Sequence, residues 1–223
     1  MTANPRRQWL IPTALILLTL VPMVAGSVRL AELSTGPEVT ADNARYVADP
    51  LPVVLHIISA CVYCVLGAFQ FIPGPRSRGR RWHRYSGRLL VPTGILAAVT
   101  GVWMTLDYPS LPGDGLALLL VRLVVGSAMV AAIVLGLVAV RRRRFAEHRA
   151  WMIRAYAIGQ GAGTQVFTHL PWAILVGEAT GTPRLVFMIA GWLINAVFAE
   201  WIIRRRRRPA VSTHRPLVTL EAR

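Results

Sequence analysis

The sequence predicts an all-α, polytopic membrane helix bundle with about six transmembrane helices and both termini cytoplasmic. Three observations predict it: an apolar composition, a series of apolar runs of spanning length, and arginines gathered on one side of those runs. Of 223 residues, 54% are hydrophobic, and mean hydropathy is +0.49. The formal charge of +15 would suggest a polyanion partner in a soluble chain. A soluble nucleic-acid binder, however, needs a charged surface all round rather than long uncharged runs, so no nucleic-acid partner is expected.

A spanning helix needs about 20 mostly apolar residues, each rising about 1.5 Å. Six segments have that length: roughly 9–30, 51–72, 89–106, 115–140, 150–176 and 184–203. The first is also weighed as a signal peptide, since Arg6 and Arg7 precede it and Ala25-Gly26-Ser27 resembles a cleavage site. Its apolar run continues to about Leu33, longer than a usual signal core, which favours a retained helix. The polar loop after it carries turn formers and has room for a short cap.

Arginine is hard to translocate and accumulates on the cytoplasmic side. The segments before the first helix, between the second and third, between the fourth and fifth, and after the sixth hold 21 of the 25 arginines, counting Arg154 just inside the fifth helix. The opposite loops hold Arg29, Arg45 and Arg184 beside acids such as Asp107 and Asp114. Both termini, and the basic loops, are therefore expected on the cytoplasmic side of a cell's inner membrane. Residues 1–203 read as one integral membrane domain, and 204–223 as a basic, disordered cytoplasmic tail in which His214 is solvated.

The two internal basic loops read RSRGRRWHRYSGRLL and RRRRFAEHRAWMIRAYA. Each has an arginine cluster, a His-Arg doublet, a nearby tryptophan and a later arginine. Arg84, Arg88, Arg149 and Arg154 are thus expected at the membrane interface, against anionic lipid headgroups. HRYSGR (83–88) and HRAWMIRAYA (148–157), set between hydrophobic hairpins, resemble the bacterial predicted membrane protein family called domain of unknown function 2306. The similarity covers about 51–177 and implies a polytopic membrane protein without an established activity. It also implies a further arginine in the fifth helix, where this chain has Gly163-Thr164-Gln165; a site using that group is altered or absent here.

Histidine and arginine within a bilayer are costly and usually face a protein interior or a water-filled cavity. His56 and His169 lie about 8 and about 10 Å below the outer ends of their helices, counting about 1.5 Å per residue. They form a notional outer pair, with His83 and His148 as an inner one. Paired imidazoles from different helices are what bis-histidine haem b requires, and that reading would bring an electron-transfer partner. The competing reading makes His83 and His148 phosphate-contacting residues and leaves the outer two as hydrogen-bonded packing residues.

Arg122 and Gln165 are candidate cavity residues, with Arg122 either a counter-ion for an anionic ligand or a snorkelling side chain paired with Asp107 or Asp114. Gln160 and Thr164 also need partners away from lipid. Pro92 and Pro171 are expected to kink their helices, Asn195 to bond across the bundle, and Glu200 to pair with the Arg204–Arg208 run. Cys61 and Cys64 have CxxC spacing but lack a second thiol pair to relay electrons, so they read as small packing residues. Three function classes stay open, and with them whether the chain is an enzyme: a haem-binding or redox-linked component, a small-ligand carrier or receptor, and a non-catalytic scaffold with an assembly partner.

Overall fold

The computed structural model describes residues 5–72 and 78–205 and is helical throughout, with no strand among the described residues. The helices are α1 (Pro5–Ser34), α2 (Ala44–Ala48), α3 (Pro50–Phe69), α4 (Arg78–Asp107), α5 (Leu116–Arg141), α6 (Phe145–Gly159), α7 (Gly161–Leu175) and α8 (Gly181–Arg205). Among them α1, α3, α4, α5 and α8 are long and apolar enough to cross a membrane. The short α2 is the cap within the long polar loop. That loop is tied down by Asn43, whose Nδ2 donates to Glu32 Oε1 at 2.8 Å and to the Glu38 carbonyl at 3.0 Å.

The fifth apolar run differs from expectation: it is divided into α6 and α7, of 15 residues each. The division falls at Gln160 between two glycines, not at Pro171, which lies inside α7 as Pro92 lies inside α4. Glycine is a poor helix former, and here its lack of a side chain also matters sterically. A Cβ on Gly161 would overlap the Trp192 indole. Gln160 turns into the bundle, 2% exposed, and its Nε2 donates to Tyr156 Oη at 2.6 Å. The Ala157 carbonyl accepts from Asn195 Nδ2 at 3.1 Å, while Thr164 Oγ1 donates to Asn195 Oδ1 at 2.8 Å. Asn195 thus bonds across the bundle, joining α8 to both halves of the divided run.

Short connections make successive helices neighbours: α3 packs on α4, α4 on α5, and α5 on α6. On the other side α8 lies against α6 and α7, and α1 fills the space between α3 and α7. The central core is built from Tyr63, Leu90, Met129, Ile133 and Tyr156, where Tyr156 Oη donates to the Cys64 carbonyl at 2.7 Å. A smaller cluster of Ala150, Ile153, Ala199 and Ile203 seats α8 on α6. Beside it Arg154 Nη2 meets Glu200 Oε2 at 3.1 Å, and the same guanidinium stacks over Trp151. Glu200 therefore takes a partner on α6, which a neighbouring helix supplies at its own depth; the expected partners Arg206–Arg208 lie outside the described residues, as does His214. On α1, Leu17, Val21, Val24 and Val28 are exposed, the face such a helix offers to lipid.

Candidate functional site

A cavity of about 460 Å³ opens near the ends of α4 and α8 and runs down between α1, α3, α4, α5, α7 and α8. Its charged residues are Arg45, Arg122, Arg184 and Asp114. Each reaches the same end by local sequence. Arg45 sits on the short cap α2, Arg122 lies about 9 Å into α5 at about 1.5 Å per residue, and Arg184 lies in the first turn of α8. Asp114 ends the loop from α4 to α5. That loop turns sharply through Gly113 at φ +83°, where a side chain would be strained and would crowd the Gly181 backbone amide.

The charges do not balance. Arg122 Nη1 and Arg184 Nε each stand 3.4 Å from a different oxygen of Asp114, whose side chain is 6% exposed. These are long contacts for ion pairs, and Asp114 Oδ1 is buried without a hydrogen bond. Arg45 has no carboxylate partner among the described ion pairs. Its Nη2 donates to Tyr46 Oη at 2.7 Å, while its Nε is buried with no partner. Three guanidinium groups and one carboxylate line the cavity, a formal surplus of two positive charges in a partly enclosed space. Tyr46 and Tyr108, edge to face at 5.6 Å, form the adjacent wall, and Tyr108 Oη donates to the Asp49 carbonyl at 2.6 Å. Burial raises the Tyr108 phenol above its ordinary pKa, so it stays a neutral donor.

Of the residues singled out from sequence, His56, Arg122 and Gln165 line this cavity together. His56 Nδ1 donates to the Ala97 carbonyl at 2.9 Å, with Thr100 Oγ1 at 3.2 Å, which leaves Nε2 as an acceptor. Gln165 Nε2 donates to the Met188 carbonyl at 3.1 Å. His169 is not part of the lining: its Nδ1 bonds the Gln165 carbonyl at 2.7 Å and its ring packs on Phe187. The outer histidines face different neighbours, His56 toward α4 and His169 toward Phe187 of α8, and α1 packs against both α3 and α7, so they are not brought together as a pair.

The inner histidines do meet. His83 and His148 lie edge to face with ring centroids 6.5 Å apart, and His148 Nδ1 donates to the Gly136 carbonyl at 2.8 Å. No group of three or more His, Cys, Asp or Glu side chains suited to a metal ion occurs among the described residues. Arg84, Arg88 and Arg149 are exposed at this end, whereas Arg154 is half-buried in its pairing with Glu200.

Sequence reasoning missed Arg45, Arg184 and Asp114 as site residues. A signal was present: of the four arginines outside the basic end (Arg29, Arg45, Arg122 and Arg184), three converge on this cavity. The fourth, Arg29, pairs with Glu32 and stacks over Tyr46, itself a cavity residue.

Residues 53–203 match the family model described as "Predicted membrane protein (DUF2306)", and the chain belongs to that family. The match extends through α8, further than the 51–177 expected from the two motifs, and begins after α1. No curated protein and no solved structure matches the chain.

Proposed function

We propose that this DUF2306-family membrane protein binds a small anionic ligand in an outward-facing cavity, acting as a carrier or receptor. The observation that carries the reading is the convergence of Arg45, Arg122 and Arg184 on one partly enclosed cavity that holds a single carboxylate, Asp114, paired with only two of them. Keeping arginine below a membrane surface costs about 2.5–3.5 kcal/mol on the insertion scale near mid-bilayer. That cost falls on Arg122, and Asp114, which it shares with Arg184, offsets only part of it. An incoming carboxylate or phosphate fits the surplus charge, and guanidinium forks suit both.

The positive-inside distribution supports an outward opening, because the cavity lies at the end that carries few arginines. The expected result is a rise in unfolding temperature of the purified protein with inorganic phosphate or a small carboxylate but not with chloride at equal ionic strength. Arg122→Ala should abolish the difference, and so should Arg45→Gln, which removes no ion pair seen in the fold. Equal stabilisation by all anions, or a response unchanged in both variants, would sink the reading.

The redox reading has less support, since its outer pair is separated and only His83 and His148 adjoin. A Soret band in the purified protein that disappears in His83→Ala would restore it; a haem-free preparation removes it.

A further inference from the structure

We infer that the ligand is an amphiphile, an acid with an apolar body, rather than a compact polar anion; this rests on the anion-site reading above. On three of the lining helices the cavity changes from charged or polar to mainly apolar with depth. On α5 it passes from Arg122 to Gly126 and Met129, on α8 from Arg184 to Met188 and Trp192, and on α3 from His56 to Ile57, Ala60 and Cys61. Seven residues separate Arg122 from Met129, so the apolar part extends about 10 Å below the guanidinium groups at about 1.5 Å per residue.

The floor lies where the divided run opens, at Gly159 and Ala162, close to Met129. Four of the six methionines, Met23, Met104, Met129 and Met188, face this space. Unbranched thioether side chains repack around flexible apolar groups, and they recur at surfaces that accept varied hydrophobic partners. A compact, fully hydrated anion would leave this lower part empty or filled with water that finds few hydrogen-bonding groups. An alkyl or isoprenoid body fills it, with the acidic head held among Arg45, Arg122 and Arg184.

The test is a series of straight-chain monocarboxylates from acetate to dodecanoate, with inorganic phosphate, on the full chain in a neutral maltoside detergent. Partition of each acid into detergent is common to all variants, so the quantity read is the ratio of wild-type to variant affinity from ligand-dependent unfolding temperatures. The ratio of wild-type to Ala162→Trp affinity should rise roughly three- to fourfold per added methylene until the floor is reached, then level off. Ala162→Trp, which fills the floor, should bind acetate as the wild type does and lose the dependence on chain length. Ala60→Leu is a milder second blocker, used should the tryptophan variant fail to fold. Arg122→Ala should weaken every member of the series by a similar factor.

A wild-type to Ala162→Trp affinity ratio that is the same for acetate and octanoate would overturn the inference and leave the anion site standing. Long-chain binding that neither the floor variants nor Arg122→Ala reduces would place the acids elsewhere on the protein and overturn it too. No response to any anion, phosphate included, would remove the anion site and the inference together.

Discussion

Single buried side chains decide whether the polar network at the centre of the bundle holds. Tyr156 Oη donates to the Cys64 carbonyl and accepts from Gln160 Nε2, while Gln160 Oε1 is buried without a partner. Removing the hydroxyl strands the buried Gln160 amide and takes a second donor from the Cys64 carbonyl, which its own helix also engages, and a stranded buried group costs about 1–3 kcal/mol. Tyr156→Phe is therefore expected to destabilise by about 2–3 kcal/mol in reversible denaturation in mixed micelles. Gln160→Leu removes a group already half unsatisfied and leaves the Tyr156 donation intact, so it should cost about 1 kcal/mol or less. A larger loss in Gln160→Leu than in Tyr156→Phe would contradict this account. The same scale shows what the sequence could convey about the site. His56, Arg122 and Gln165 were legible because an intramembrane polar residue marks itself by its cost. Arg45, Arg184 and Asp114 lie at helix starts and in a loop, where charge is unremarkable until the fold brings the loops together. His169 satisfied the depth rule and still lies apart: rise along a helix fixes depth, whereas lateral adjacency depends on which helices pack together.

Helix existence was legible from length and hydropathy, but the interruption of a helix was not. Two signals competed in the fifth apolar run: the GQGAGTQ stretch and Pro171. The chain breaks at the first, where glycines flank an inward-turned glutamine and Asn195 takes up a backbone carbonyl. Pro171 is accommodated inside α7. The α5–α6 connection shows a related conflict between residue type and backbone. Arg143 adopts φ 59°, the left-handed conformation usual for glycine after a helix, while the Arg144 amide bonds back to the Ala139 carbonyl at 2.9 Å. A non-glycine residue there costs about 1–2 kcal/mol. Arg143→Gly loses some of that gain to the extra entropy of an unfolded glycine. The expected net effect is stabilisation of about 0.5–1 kcal/mol, seen as a higher unfolding temperature. A fall would mean that the Arg143 guanidinium makes an interaction worth more than the backbone strain.

At the scale of the whole molecule, arginine placement and the cavity make one linked claim. Nearly all arginines mark one end of the bundle, and the cavity with its charged lining lies at the other. Family membership and the apolar helices establish a membrane protein. The direction in which the cavity opens follows only from the charge rule, which acts on short loops and is open to direct measurement. In a Cys61→Ala, Cys64→Ala background, Ser110→Cys places a thiol in the exposed loop after α4, and Phe145→Cys places one at the exposed start of α6. An impermeant maleimide added to intact cells should label the first and spare the second until the membrane is permeabilised. The opposite pattern would turn the cavity toward the cell interior. The anion site would survive that result, because its chemistry depends on Arg45, Arg122, Arg184 and Asp114 and not on the side they face; its ligand would then have to come from the cytoplasm.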